Sequence, residues 1–237
     1  MLLFSSANSF ATWSIIIVDP VTKEIGIAGA SCSYSVYGIG AIVPGKGAIV
    51  AQAMSNMRAK AKGIEMIKSG ASAEQILYVI IDPSFDPTSS LQQYGIICFN
   101  YLDKPVTFTG SNTPASTGSY TANGITVQGN TLANDNVLKT VFDTVIQSRK
   151  NGFSVHETLI KALKAGSNAG GDIRCGQQKA SSAFITVMKP GDEVKKPFLN
   201  LFISGMGKGG NNAVDVLETM YKKWEAKQQA AHTSSNK

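Results

Sequence analysis

Histidine is nearly missing from this chain: two occur in 237 residues, His156 and His232. His156 falls in the first turn of an expected helix and His232 in a polar tail. Neither position suits a general base or a metal ligand, which argues against a Ser-His-Asp triad. Cysteine is scarce too. Cys32, Cys98 and Cys175 fit neither a disulfide framework nor a zinc-binding spacing, so buried free thiols are expected, with Cys32 as a nucleophile the less favoured alternative. Charged residues are 16% of the chain, against roughly 25% in an average soluble protein, and apolar residues are 43%. That composition excludes disorder for the body of the chain. Long apolar runs are missing as well. The longest, such as Ile15–Val18 and Leu77–Ile81, fall far short of the ~20 residues of a membrane helix, so no membrane span is expected. The net charge of +6 is spread over Arg58, Lys60, Lys62, Lys195, Lys196, Lys222, Lys223 and the tail. Basic and aromatic residues are nowhere densely interleaved, and no nucleic-acid partner is expected.

What is present reads as strands and helices in alternating groups. Thr12–Val18 is rich in β-branched residues, as for a strand buried on both faces. Asp19-Pro20-Val21-Thr22-Lys23 is turn chemistry, and Glu24–Cys32 returns as the second arm of a hairpin. Short strands are expected at 39–43 and 48–52, a helix over 57–68, and a second helix opened by the capping box Ser72-x-x-Gln75. A further hairpin spans 94–109, followed by a Ser/Thr/Gly-rich loop over 110–123 and a strand at 124–129. A second helix pair follows, its second member opened by Ser154-x-x-Glu157, then a polar glycine loop over 166–178, strands at 180–187 and 198–204, and a closing helix over 213–224. Hairpins dominate over βαβ units, so the fold class is α+β, with two antiparallel sheets packed together and helices on their outer faces. Residues 12–227 form one domain and residues 228–237 read as a disordered tail.

Two local motifs need weighing. Gly205-Met206-Gly207-Lys208-Gly209-Gly210 satisfies G-x-G-x-x-G between a strand and a helix, but no second parallel strand follows to build a dinucleotide site. Lys208 is followed by Gly, which removes the P-loop reading. Residues 1–11 differ from the rest. Leu2-Leu3-Phe4 is apolar, and Ser9-Phe10-Ala11 has the small-x-small form of a signal-peptidase site. The stretch reads as a leader or the remnant of an export signal, or else as an N-terminal arm. Location outside the cytoplasm, periplasmic or secreted, is the leaning on the first reading, and cytoplasmic otherwise.

The order of several segments resembles the DUF1028 family, an uncharacterised branch of the N-terminal-nucleophile (Ntn) hydrolase superfamily. The segments are Thr12-Trp13-Ser14-Ile15 with Val18-Asp19-Pro20 and Glu24–Ala28, then Gly40–Pro44, Gly47–Ala53 and Thr109-Gly110-Ser111. Val127-Gln128-Gly129-Asn130 and Ala169–Arg174 with Gly176-Gln177-Gln178 follow. The resemblance implies a four-layer αββα sandwich and a catalytic first residue at the start of a strand, which falls on Thr12. A threonine hydroxyl needs a base; a free α-amine, with a pKa of roughly 7.7–8.0, would supply one from the same residue once cleavage after Ala11 exposes it. The implied activity is an amidohydrolase acting on a small-molecule or peptide-like substrate, with a catalytically silent Ntn-like binding or cell-envelope module as the alternative. No metal or organic cofactor is implied.

Asn130 and Gln128 are candidates for an oxyanion hole or substrate contact. Asp172 and Arg174 are candidates for an ion pair that orients the amine or a substrate carboxylate, or that serves structure alone. Many family members carry Lys or Arg near the position of Ser33; this chain carries Ser33 there, a candidate substrate contact, with Lys46 as a substitute cation. Ser55-Asn56 is a helix cap or a pocket group. The superfamily often assembles, so a homo-oligomer is a further implication, with Phe198 and Trp224 at an interface or in the core.

Overall fold

The computed structural model describes residues 12–235; the leader reading of residues 1–11 lies outside them. Strands β1 (Thr12–Val18) and β2 (Ile25–Ser31) form the opening hairpin. Its turn is closed by the Asp19 carboxylate, which accepts from the backbone N–H groups of Val21 and Thr22, both at 2.8 Å. Next come β3 (Gly40–Val43), β4 (Gly47–Ala53), α1 (Met57–Lys68) and α2 (Ala73–Ile80). Then follow β5 (Gln92–Cys98), β6 (Val106–Thr109), β7 (Gly118–Ala122) and β8 (Ile125–Asn130). The chain closes with α3 (Asn136–Lys150), α4 (Val155–Asn168), β9 (Ser182–Met188), β10 (Leu199–Ile203) and α5 (Ala213–Ser235). Both expected capping boxes form: each serine accepts from the N3 backbone and the N3 side chain returns to the serine N–H.

Two antiparallel sheets result. One has the order β10-β9-β2-β1-β8-β7 and the other β3-β4-β5-β6. The first is covered on its outer side by α3, α4 and α5, the second by α1 and α2. Strand alternation assigns side chains to layers. On β1, Trp13, Ile15 and Ile17 enter the core beneath α3 and α4. Ile16 and Val18 point the other way, into a core between the sheets with Ile25, Ile27, Val50, Ile97 and Phe184. A third core, with Ile49, Ile67, Ile76, Tyr94 and Ile96, joins α1 and α2 to the four-stranded sheet.

Three expectations are corrected. Residues 118–122, expected within a loop, form the edge strand β7. Its polar Gly-Ser-Tyr-Thr-Ala sequence carries no apolar alternation, and its place comes from pairing with β8 and from Tyr120 stacking on Phe142. Helix α5 continues past Trp224 to Ser235, through most of the stretch read as a disordered tail. Cys32 and Cys175, expected as free thiols, form a disulfide across 143 residues. Only Cys98 is free, and it is buried. Phe198 and Trp224 pack edge-to-face within the chain, with centroids 5.3 Å apart, around His156 and Tyr221. Among the described residues no helix is long and apolar enough to cross a membrane.

Candidate active site

The space between the sheets is apolar at the β1–β2 turn end and polar at the other. Thr12 opens β1 at the polar end. Its register partners are Ser31 on β2 and Asn130 on β8, and Ser31 in turn pairs with Ser182 on β9. Directly opposed residues share a face, so Ser182, Ser31, Thr12 and Asn130 make one row across four strands on the inter-sheet face. All four are fully buried. One step deeper, Ser14 stands opposite Gln128. The facing sheet contributes Gln52 and Gln93.

These groups form a connected network. The Ser14 hydroxyl donates to Gln52 Oε1 at 2.6 Å and accepts from Gln128 Nε2 at 2.7 Å. Gln52 Nε2 donates to Gln93 Oε1 at 2.7 Å and, at 3.4 Å, to the Thr12 carbonyl. Gln93 Oε1 also accepts from Asn130 Nδ2 at 3.1 Å, and Gln93 Nε2 donates to the Gly129 carbonyl at 3.0 Å. Gln93 therefore fixes which way the Asn130 amide faces. The Gln128 amide lies so close to β5 that a Cβ on Gly95 would stand 2.4 Å from Gln128 Oε1. Among the described residues that oxygen and the Thr126 hydroxyl are buried without hydrogen-bond partners, an arrangement costing about 1–3 kcal/mol per group.

A second group closes the end of the row. Helix α4 delivers a glycine turn onto the Trp13 indole. A Cβ on Gly166 would meet Trp13 Nε1 at 2.8 Å, and one on Gly171, whose φ is +62°, would meet the Lys179 carbonyl at 2.8 Å. Only glycine fits either position. The turn places Asp172, whose carboxylate is fully buried. Asp172 Oδ2 accepts from the Cys32 N–H at 2.7 Å and from Arg174 Nη2 at 2.8 Å. Asp172 Oδ1 accepts from the backbone N–H and the Nε of Arg174, at 3.0 and 3.1 Å. The backbone of residues 172 and 173 meets Leu132 and Thr131 just beyond β8. Asp172 is thus tied to the ends of both strands that flank Thr12.

The Cys32–Cys175 bond clamps the same segment and removes Cys32 as a nucleophile. Arg174 Nη2 also reaches Ser33 Oγ at 3.5 Å, and Ser33 Oγ accepts from Ser31 Oγ at 2.9 Å. A guanidinium from the Asp172 turn therefore lies at the position where the expected cation is replaced by Ser33. Lys46 cannot take that role. It sits in the β3–β4 turn, at the opposite end of β4 from Gln52, and bonds to the Lys68 carbonyl.

Asn56 is the N-cap of α1, accepting from the Ala59 N–H at 3.0 Å. Lys60 on α1 is buried and donates to the Gly38 carbonyl in the loop after β2; burial pushes its pKa down. The Gly205–Gly210 turn precedes α5 but follows a strand paired antiparallel to β9, so no βαβ unit forms. Among the described residues no cluster of His, Cys, Asp or Glu is placed to hold a metal.

Residues 12–207 match DUF1028, a family of unknown function. The chain belongs to the DUF1028 family. A solved DUF1028 structure, that of protein SPO2555 from Silicibacter pomeroyi, is similar, with a TM-score of 0.75 at 25% identity over 90% of this chain and 85% of that one. No curated protein matches the chain. Within this DUF1028 chain, sequence reasoning named Thr12, Gln128, Asn130, Asp172, Arg174 and Ser33. The structure gathers Thr12, Asn130 and Gln128 in the inter-sheet layer and Asp172, Arg174 and Ser33 at its end. Sequence reasoning missed Ser14, Gln52 and Gln93. The signal for Gln52 and Gln93 was a glutamine within each of two mainly apolar strands, and for Ser14 a hydroxyl inside the otherwise apolar run 13–18.

Proposed function

We propose that this DUF1028 chain is an Ntn-type amidohydrolase in a four-layer αββα sandwich, with Thr12 as nucleophile after removal of residues 1–11. One observation carries the reading: Thr12 begins the strand between β2 and β8 and faces the polar end of the inter-sheet layer, beside Ser31 and Asn130. The family match, which starts at Thr12, supports it. In the intact chain the Thr12 nitrogen is an amide, with no basic lone pair, and the residue is fully buried. The intact chain is then an inactive precursor. Cleavage before Thr12 supplies the amine and takes away the segment joined to it.

The chemistry follows from that amine. The α-amine accepts the Oγ1 proton as the hydroxyl oxygen bonds to the substrate carbonyl carbon. Negative charge moves to the carbonyl oxygen. Asn130 Nδ2 carries two hydrogens, one directed at Gln93, and the other is the candidate oxyanion donor. The ammonium returns its proton to the leaving nitrogen as the C–N bond breaks, leaving an ester on Thr12. Water, deprotonated by the same amine, hydrolyses that ester. Gln128 is enclosed behind Asn130 and bonded to Ser14, so its role here is support. The Cys32–Cys175 disulfide is a bond that persists in oxidising compartments, which supports the exported reading.

The complete burial of Thr12 and the side-chain network around it favour a second reading, a catalytically silent module. Intact mass of the protein from its native host, followed by an acylating probe, separates the two. A chain beginning at Thr12 that is labelled, with labelling lost in Thr12→Ala, supports the hydrolase. A chain that retains residues 1–11, or labelling unchanged in Thr12→Ala, refutes it.

A further inference from the structure

Beside the disulfide lies a cavity of about 420 Å³ lined by Cys32, Cys175, Tyr34, Arg174, Met206 and Lys208, among others. Its charged lining among the described residues is Arg174 and Lys208, with no carboxylate. Asp172, the partner of Arg174, is buried behind it and fully covered. Lys208 takes part in none of the ion pairs among the described residues. A concave surface with cations on its walls and its counter-charge set back from solvent focuses a positive potential.

The cavity is also built to keep its shape. Arg174 is held by its Asp172 bonds and by the neighbouring Cys175 disulfide. The glycine turn that carries Lys208 is stapled by Gln178, whose Nε2 donates to the Gly207 and Asn211 carbonyls at 2.9 and 3.2 Å, and whose Oε1 accepts from the Gly209 N–H at 3.1 Å. Gly205 lies under the Tyr34 ring, where a Cβ would stand 2.8 Å from the ring edge. The strand–Gly-x-Gly turn that fails as a dinucleotide site thus forms one wall. Tyr34, Met206 and the disulfide sulfurs supply apolar surface beside the two cations.

The position relates this cavity to Thr12. Cys32 follows Ser31, the Cα partner of Thr12. With antiparallel partners about 4.5–5.5 Å apart and successive Cα atoms 3.8 Å apart, the Cys32 wall begins within about 9 Å of the Thr12 Cα. We propose that this cavity binds a small organic carboxylate with an apolar body, and that the substrate is an amide bearing a free carboxylate. The second half rests on the hydrolase reading; the binding half does not.

The test uses the full oxidised chain labelled with 13C at its methionine methyl groups, with Met206 assigned through Met206→Leu. Hexanoate is titrated, with hexanamide as the neutral isostere and inorganic phosphate as the competing anion chemistry. Saturable movement of the Met206 resonance by hexanoate but not hexanamide, weakened about three- to fivefold in Lys208→Gln as expected for a solvent-exposed charge, supports the site. Lys208 is exposed, so this variant leaves the fold in place. A Met206 resonance unmoved by hexanoate, equal movement by hexanamide, or unchanged affinity in Lys208→Gln overturns it. Tighter binding of phosphate than of hexanoate overturns the carboxylate assignment. Saturating hexanoate that does not slow labelling of the Thr12-initiated chain by the acylating probe overturns the substrate half. Labelling unchanged in Thr12→Ala removes the hydrolase reading and leaves the site standing.

Discussion

Reducing the Cys32–Cys175 bond should destabilise the fold more than any single surface change. The bond closes a loop of 143 residues. The chain-entropy relation for a loop of that length gives about 5 kcal/mol, above the usual 2–4 kcal/mol for disulfides. Since whole domains are stable by about 5–15 kcal/mol, the reduced protein should stand near the edge of folding. The loss also has a local focus, because the bond holds the segment carrying Asp172 and Arg174 against the end of β2. Urea unfolding with and without reductant reads the effect. With a slope of about 2–3 kcal/mol/M, a loss of 2–5 kcal/mol moves the midpoint down by about 1–2 M. The double variant Cys32→Ala/Cys175→Ala should match the reduced protein and be insensitive to reductant. Thiol titration in denaturant should find one thiol, that of Cys98, before reduction. Three thiols at that stage would refute the pairing, and a midpoint unmoved by verified reduction would refute the stabilisation argument.

Other perturbations have definite signs. Asp172→Asn removes the anion that accepts from Arg174 and from the Cys32 N–H; thermal unfolding should show a loss of about 1–3 kcal/mol. Gly95→Ala drives a Cβ into the Gln128 amide and should lose about 1–3 kcal/mol by overpacking, which denaturant midpoints would register. Burial lowers the His156 pKa, outweighing Glu157 and Glu225, which raise it, while Lys189 lowers it further; Tyr221 bonds to the ring at 2.7 Å. The neutral ring is therefore favoured in the fold, and its contribution is present above the unfolded pKa of about 6.5 and lost as pH falls through the lower folded value. Unfolding midpoints measured from pH 7 downward should fall, and His156→Gln should flatten that part of the profile; an unchanged slope would count against the assignment.

The chain's local chemistry was legible in its sequence. The helix over 57–68 and both capping boxes follow from spacing and from residues three positions apart. The opening hairpin follows from two apolar runs around Asp-Pro turn chemistry, and hairpins throughout imply antiparallel sheets. Each of these signals is carried by residues within a few positions of one another. Strand β7 escaped because an edge strand of polar residues buries too little to leave an apolar pattern. The end of α5 escaped because its last turns are as polar as a loop.

The site depended on contacts that local pattern cannot carry. Thr12, Asn130 and Asp172 could be named singly, but their assembly needed β1 to lie between β2 and β8, and the Gly166 and Gly171 contacts with Trp13 to bring the Asp172 turn to the strand ends. Gln52 and Gln93 acquired meaning only when the second sheet faced the first and set both amides against Ser14 and Asn130. Cys32 and Cys175 became a pair for the same reason. Periodicity records which face of an element is apolar, because neighbours along the chain share that constraint. It holds no record of which distant element will cover that face, and so the sequence by itself determined most of the strands and helices, whereas the packing of two sheets decided the polar layer, the disulfide and the cavity beside it.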